Sequence, residues 1–218
     1  MSSLLEDVVP PLLYRAAGGL RRQFEGPKPD PYDSSGSHLF DGDNALFLDH
    51  APRARLYGEY GMGASTVWMD RETGARIRAV DTAETWVEDT RARMRRKEHD
   101  LRWIDVGPVG GWGMPQTYAY RHAFRSYVEA LWEDTETPDF VLVDGRFRVA
   151  SFLTTLLRAD PGTAVIFDDY VDRAPFHVVE EFLAPEQRTS RQALFVVPRT
   201  VDHATVEATR DAFLMVRD

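Results

Sequence analysis

The chain has no cysteine among its 218 residues. That excludes disulfides, thiolate metal sites and thiol nucleophiles, and it fits a reducing, cytoplasmic setting. It also has no run of about eighteen apolar residues, the length a membrane-spanning helix requires, so no membrane partner is expected. The opening stretch Met1-Ser2-Ser3-Leu4-Leu5-Glu6-Asp7 lacks a basic region, and its apolar residues are interrupted, which argues against a signal peptide. Positive charge is in deficit: 26 Lys and Arg against 35 Asp and Glu give a net charge of -9. Such a field repels a phosphate backbone, so no nucleic-acid partner is expected. The one basic run, Arg91, Arg93, Arg95, Arg96 and Lys97, follows Glu84, Glu88 and Asp89 on the same predicted helix. That polarity complements a helix dipole, and no aromatics are interleaved for base stacking, so the run reads as a solvated helix end.

What the chain does have is the composition of a soluble α/β domain, with 43% hydrophobic and 28% charged residues. Residues 1–42 read as an N-terminal extension: an amphipathic helical stretch interrupted at Pro10-Pro11, then a Pro-, Gly- and Ser-rich loop over 26–38. Such a piece could cap a pocket, form a homodimer contact or simply pack on the core. From residue 43 to 218 short apolar segments alternate with helical periodicity. Strands are expected at 54–60, 76–80, 101–106, 140–143, 163–167, 193–197 and 213–216. Helices are expected at 44–50, 65–70, 85–96, 120–131, 149–157, 176–183 and 203–210. The alternation predicts a doubly wound, mostly parallel sheet with helices on both faces.

In such a sheet, ligands bind outside the carboxyl ends of the strands. Those positions read Glu59, Gly61 and Gly63; Asp81; Asp105, followed by a loop with Gly107, Gly110, Gly111 and Gly113; Asp144; and Asp168-Asp169. Gly61 and Gly63 permit a tight turn and close backbone approach to a ligand. In a dinucleotide loop of the form G-x-G-x-x-G the third glycine would stand at Thr66. Glu59 places negative charge before the turn, which disfavours a pyrophosphate and favours a cationic amino or sulfonium group. Asp81, twenty-two positions later, suits the two hydroxyls of a ribose. It also suits a helix N-cap.

The run Glu59-Tyr60-Gly61-Met62-Gly63-Ala64-Ser65-Thr66 resembles the first motif of class I S-adenosylmethionine-dependent methyltransferases, and Val80-Asp81 resembles their ribose-binding position. Asp105-Val106-Gly107-Pro108 and the segment from Val143 to Ala150 resemble a small bacterial subset of that superfamily. The resemblance covers roughly residues 43–200. It implies a seven-stranded Rossmann-like sheet with an antiparallel last strand, S-adenosylmethionine as cofactor, and methyl transfer. It assigns Glu59, Gly61 and Gly63 to the amino-acid end of the cofactor, Ser65 and Thr66 to its carboxylate, Asp81 to the ribose and Asp105 to the adenine side. Trp112 stacks on the adenine ring in one reading and anchors its loop in the core in another.

On the acceptor side, Asp144, Asp168 and Asp169 suggest a Mg²⁺ site, as in catechol-type O-methyltransferases, to which this segment is partly similar. Those enzymes carry a lysine three residues after the first metal acid. Here that position is Phe147, between Arg146 and Arg148, and arginine stays protonated at neutral pH. Metal binding is therefore left open. Asp144 and His177 are the candidate catalytic groups, with His122 a second histidine within reach of the crevice. Ordinary packing or hydrogen bonding also explains both histidines, as core packing explains Tyr118, Tyr120 and Tyr170 beside their reading as pocket-lining groups. No Asn-Pro-Pro-Tyr motif is present. The expected function is O-methylation of a small-molecule acceptor. A non-catalytic methyltransferase-like scaffold is the alternative, and an NAD-dependent oxidoreductase a third, disfavoured by Glu59 and by the lack of a Tyr-x-x-x-Lys pair.

Overall fold

A computed structural model describes residues 34–36 and 39–218. The expected helix and most of the loop in residues 1–42 lie outside the described residues. Within the described residues the first helix is α1 (Ala45–His50), followed by β1 (Leu56–Tyr60), α2 (Ala64–Glu72), β2 (Arg76–Asp81), α3 (Glu84–Arg93) and β3 (Asp100–Trp103). A short helix α4 (Phe124–Glu129), flanked by 3₁₀ turns, leads to β4 (Phe140–Val143), α5 (Arg148–Arg158) and β5 (Ala164–Phe167). A 3₁₀ segment (Ala174–Glu181), β6 (Gln187–Arg188), β7 (Ala193–Val196) and α6 (His203–Phe213) complete it.

The seven strands lie in the order β3-β2-β1-β4-β5-β7-β6. The first five are parallel, and β7 runs antiparallel to β5 and to β6. The strands split their side chains between two cores, as the two-residue period requires. Tyr57, Ile77, Ala79, Phe140, Leu142, Ile166 and Leu194 face one cluster with Phe47, Val67, Trp68 and Val87 from α1, α2 and α3. Tyr60, Val80, Val141, Val143, Val165, Phe167 and Phe195 face the other, with Phe124, Val149, Phe152 and Val206 from α4, α5 and α6. Both faces are therefore covered, which is why the central strands read as nearly continuous apolar runs.

The expected helix at 176–183 is the 3₁₀ segment and the expected strand at 101–106 ends at Trp103, and two elements differ more deeply. Residues 213–216 are not a strand: α6 runs to Phe213 and a turn follows. Val206, Arg210 and Leu214 are four apart and all buried, so the helical stripe continues where alternation seemed to begin. The remaining strand of the sheet is instead β6, a two-residue exposed edge carrying Arg188. A short, charged edge resists pairing with other chains. The expected long helix over 120–131 is broken into 3₁₀, α and 3₁₀ pieces, yet Phe124, Tyr127, Val128 and Leu131 still present one buried face. The basic run after α3 is committed to structure. Arg96 and the backbone N–H groups of Arg95 and Arg96 hold the buried carboxylate of Asp70, Arg91 bonds the carbonyl of Leu101, and Lys97 bonds those of Arg91 and Met94.

Candidate active site

The chain reverses its winding direction between β1 and β4, and that switch point opens the crevice at the carboxyl ends of the strands. Gly61 follows β1 with φ +90, and a side chain there would meet the Gly145 Cα at 2.8 Å. Gly145 follows β4, and a Cβ on it would lie 2.1 Å from the Tyr127 hydroxyl. The two loops can touch only as glycines. Gly63 is different: no atom lies within 4 Å of where its Cβ would stand. Its freedom serves open space, not protein packing.

Glu59 lies in β1 on the same face as Tyr57, and therefore under α2. It is fully buried. Its carboxylate accepts a short hydrogen bond from the Ser65 hydroxyl and one from Thr66 Oγ1 at 2.6 Å. Burial pushes its pKa up to about 8 against those hydrogen bonds. The Tyr57 hydroxyl, buried on the same face, closes no hydrogen bond. The sequence reading placed Ser65 and Thr66 on a ligand carboxylate; here their hydroxyls are turned to Glu59.

Asp81 closes β2. Its Oδ2 accepts the Met62 N–H at 2.9 Å and its Oδ1 the Ala83 N–H at 2.7 Å. It thereby pins the glycine turn to the end of β2; the N-cap position of α3 is Ala83, not Asp81, and no side chain caps that helix. Burial raises its pKa, with those backbone N–H groups pulling the other way. Each carboxylate oxygen keeps a lone pair for a further donor.

Beyond β3, the half-buried Asp105 accepts the Gly107 N–H at 3.1 Å. Gly107 has φ +86, and a Cβ there would strike the Tyr120 ring at 2.4 Å. The Thr82 hydroxyl donates to the Gly113 carbonyl at 2.6 Å, which holds this loop beside Asp81. Trp112 is 80% exposed, so it does not anchor the loop in the core. Its ring lies parallel to Trp86, centroids 6.3 Å apart, at the outer rim of the crevice.

The acids of the acceptor side meet arginines. Asp168 has no exposed surface; Arg191 Nε and Nη2 and Gln192 Nε2 occupy its oxygens at 2.6–3.0 Å. Asp169, at φ +57, pairs with Arg173 at 2.6 Å and Arg191 at 2.8 Å. Asp144 pairs with Arg148 at 3.1 Å. Burial pushes the Asp144 carboxyl up to about 7; Arg148 pulls it down, and the charges of Asp168 and Asp169 push it further up. Among the described residues no group of three His, Asp or Glu is placed to hold a metal. The suggested Mg²⁺ site at Asp144, Asp168 and Asp169 is thus corrected. A hard cation needs several free oxygens, and guanidinium groups already neutralise these.

His177 is half-buried on the 3₁₀ segment, its Nε2 3.1 Å from the Tyr170 carbonyl. That nitrogen carries the proton, leaving Nδ1 as the basic one. His122 is exposed and packs against Tyr120. Tyr170 is core, with its hydroxyl on Glu180.

Neither a family model nor a curated protein sequence matches the chain. Solved structures do. A methyltransferase-like protein from Silicibacter pomeroyi is 29% identical, with a TM-score of 0.73 over 80% of this chain and 96% of that one. The N-methyltransferase NodS from Bradyrhizobium japonicum, solved with S-adenosyl-L-homocysteine, is 14% identical, with a TM-score of 0.51 over 83% of this chain and 97% of that one. The chain shares the Rossmann-like fold of these methyltransferase structures.

In this fold Gly61, Asp81, Asp105 and Asp144 lie at the same carboxyl edge of the sheet, while Glu59 and Asp168 are buried beneath it. What the sequence did not reveal are the groups that complete them. Tyr127 receives the Arg146 N–H at 3.2 Å, and Arg191 and Gln192 come from the loop before β7. Asp218 lies after the last helix and accepts the Arg148 N–H at 3.0 Å. A general signal for counter-charges existed, because a buried carboxylate must be paired. Nothing in the local pattern said which arginines would supply them. The groove of about 260 Å³ lined by Arg55, Glu136 and Asp139 lies at the opposite, amino end of the sheet and has no part in this crevice.

Proposed function

We propose that the protein is an S-adenosylmethionine-dependent methyltransferase that methylates an oxygen atom of a small molecule. The observation carrying this is the juxtaposition, at the switch point, of the Gly61–Gly63 turn, Asp81 and Asp144. The residues fit the cofactor. The space above Gly63 admits close backbone approach. Asp81 has lone pairs left for ribose hydroxyls after holding Met62 and Ala83. Glu59, when ionised, stabilises a cationic amino-acid end through the Ser65–Thr66 shell rather than by standing in the crevice. Asp105 and the Gly107–Gly113 loop flank the adenine side, with Trp112 at the rim. When bound, the cofactor supplies an electrophilic methyl group and leaves as S-adenosylhomocysteine.

Asp144 is the proposed proton acceptor for the substrate hydroxyl. Its carboxyl, pushed up to about 7, is matched to a proton transfer near neutral pH. Arg148 fixes its orientation at 3.1 Å and stabilises the ionised form. His177 is the second candidate and would act only through Nδ1. No step requires a metal.

The test is release of S-adenosylhomocysteine on incubation with S-adenosylmethionine and a panel of phenols and hydroxy acids. At least one acceptor is expected to turn over, and Asp144→Asn to lower kcat by about 10²–10⁴-fold, the usual worth of general base catalysis. Full turnover in that variant would remove Asp144 from the mechanism. Cofactor binding without any methylated acceptor would favour the non-catalytic alternative.

A further inference from the structure

Among the described residues six large apolar side chains stand well exposed: Trp86, Trp112, Met114, Tyr118, Met215 and Val216, from 36% for Trp86 to 80% for Trp112. They are not scattered. The Trp86 and Trp112 rings lie parallel, centroids 6.3 Å apart, and Met114 follows in the same loop as Trp112. The Tyr118 hydroxyl donates to the Met215 carbonyl at 3.0 Å. Arg217 ties the two stretches together: its guanidinium lies 4.1 Å from the Tyr118 ring centroid and donates to the Pro115 carbonyl at 2.8 Å. One apolar rim therefore runs along the cofactor side of the crevice, from α3 to the turn after α6. Single exposed apolar residues need no explanation, but a contiguous set marks a docking surface.

The rim is held in place. Trp112 adopts φ 59 and ψ 28, a left-handed conformation uncommon for a bulky residue. The Gly110 N–H donates to the Met114 carbonyl at 2.8 Å and the Thr82 hydroxyl to the Gly113 carbonyl at 2.6 Å, and both bonds fix the loop that displays the indole. Backbone strain that keeps an indole out in water points to a contact lying outside the described residues.

The sequence supplies a matching surface. Leu12, Leu13, Ala16 and Leu20 fall on one face at helical spacing, just after Pro10-Pro11. Residues 8–24 carry Arg15, Arg21 and Arg22 and no acid, in a chain of net charge -9. Around Trp86, α3 displays the exposed acids Glu84, Glu88 and Asp89, so the charges complement each other. The reach also suffices. Ser34 is anchored on α2, where Trp68 Nε1 donates to its carbonyl at 3.0 Å, and α2 packs beside α3. Packed helices lie about 8–10 Å apart. A segment as long as residues 21–33 spans about 20 Å as a coil and about 40 Å as polyproline II.

We propose that residues 12–20 dock as an amphipathic helix on the Trp86–Trp112 rim of the same chain and so close the cofactor side of the crevice from outside. The docking does not rest on the methyl-transfer reading.

Because the chain has no cysteine, a single nitroxide can be attached at Ala17→Cys, off the apolar face. Broadening of backbone amides by the nitroxide, compared with the reduced label, reads where the segment lies. The amides of Val87, Gly113 and Met114 should lose intensity, and those of Thr137 and Asp160, at the amino end of the sheet, should keep it. Trp86→Ser with Trp112→Ser should restore the lost intensity, and so should Leu12→Ser with Leu13→Ser. The first pair alters only exposed side chains, so the rest of its amide spectrum should be unchanged; if that pair does not fold, the second carries the test. A mixture of spin-labelled and isotope-labelled chains should show no broadening at the rim. Absence of broadening at the rim within one chain, or broadening that survives the substitutions, would overturn the proposal. Broadening in the mixture would overturn it as well, and would make a second copy the occupant.

Discussion

Asp168 has no exposed surface, and Arg191 and Gln192 occupy both its oxygens. The chemistry that follows is set by arginine. Of the 26 basic residues only Lys28 and Lys97 are lysines, and Lys97 is bonded to carbonyls after α3. Among the described residues no lysine stands beside Asp144 to lose a proton, and arginine is a poor base near neutral pH. Removing Arg191 would leave a buried, uncompensated carboxylate. Arg191→Ala is expected to lower stability by about 3–5 kcal/mol in urea unfolding, with neither Mg²⁺ nor a chelator changing the wild-type midpoint. A chelator-sensitive midpoint would restore the metal site. Glu59 makes a different prediction. Its folded pKa of about 8 lies above the ordinary carboxylate value of 4.5, so between those limits the native state holds a proton that the unfolded state has released. The stability this provides is full below about 4.5 and is lost as pH rises through about 8. Glu59→Gln should flatten that part of the stability–pH curve. A curve as steep as the wild type's would show that Glu59 is ionised throughout.

The entry to α5 is the element on which the site depends most. Gly145 leaves room for the Tyr127 hydroxyl, which takes the Arg146 N–H, and Phe147 then turns the chain through φ 54 into the helix. The Phe147 ring is fully buried, 4.7 Å from Phe124 and 5.6 Å from Tyr127, so α4 clamps the loop that aims Asp144, Arg146 and Arg148. The left-handed turn is tolerated because packing of the ring outweighs its cost. Phe147→Ala is expected to cost about 3–5 kcal/mol. Phe147→Gly should be no worse than Phe147→Ala although it removes more, because glycine relieves a left-handed strain of about 1–2 kcal/mol. Urea unfolding of the pair checks this, and a glycine variant clearly less stable than the alanine variant would contradict it.

At the scale of the whole molecule, the five parallel strands were legible because each is short, largely apolar and met within two residues by an acid or glycine. Burial on both faces writes that pattern into the sequence. The crevice was legible for the same reason: Gly61, Asp81, Asp105 and Asp144 stand at strand ends and topology brings them together. Groups joined across the chain were not legible. Arg191 lies 23 residues from Asp168, and Asp218 lies 70 from Arg148, and no local periodicity marks either pair. The strand expected over 213–216 failed because four apolar residues in a row fit a helix end as well as an edge strand, and only the buried stripe through Val206, Arg210 and Leu214 decides between them. Glu59 was read as charge facing the turn, but strand parity directs it under α2, where Ser65 and Thr66 hold it and burial favours its protonated form. The central claim remains that the Gly61–Gly63 turn and Asp81 hold S-adenosylmethionine and not a dinucleotide. Calorimetric titration of the folded protein with S-adenosylhomocysteine, with NADH as control, tests it most directly. One-to-one binding of S-adenosylhomocysteine and none of NADH is expected; silence with S-adenosylhomocysteine, or tight binding of NADH, would contradict it.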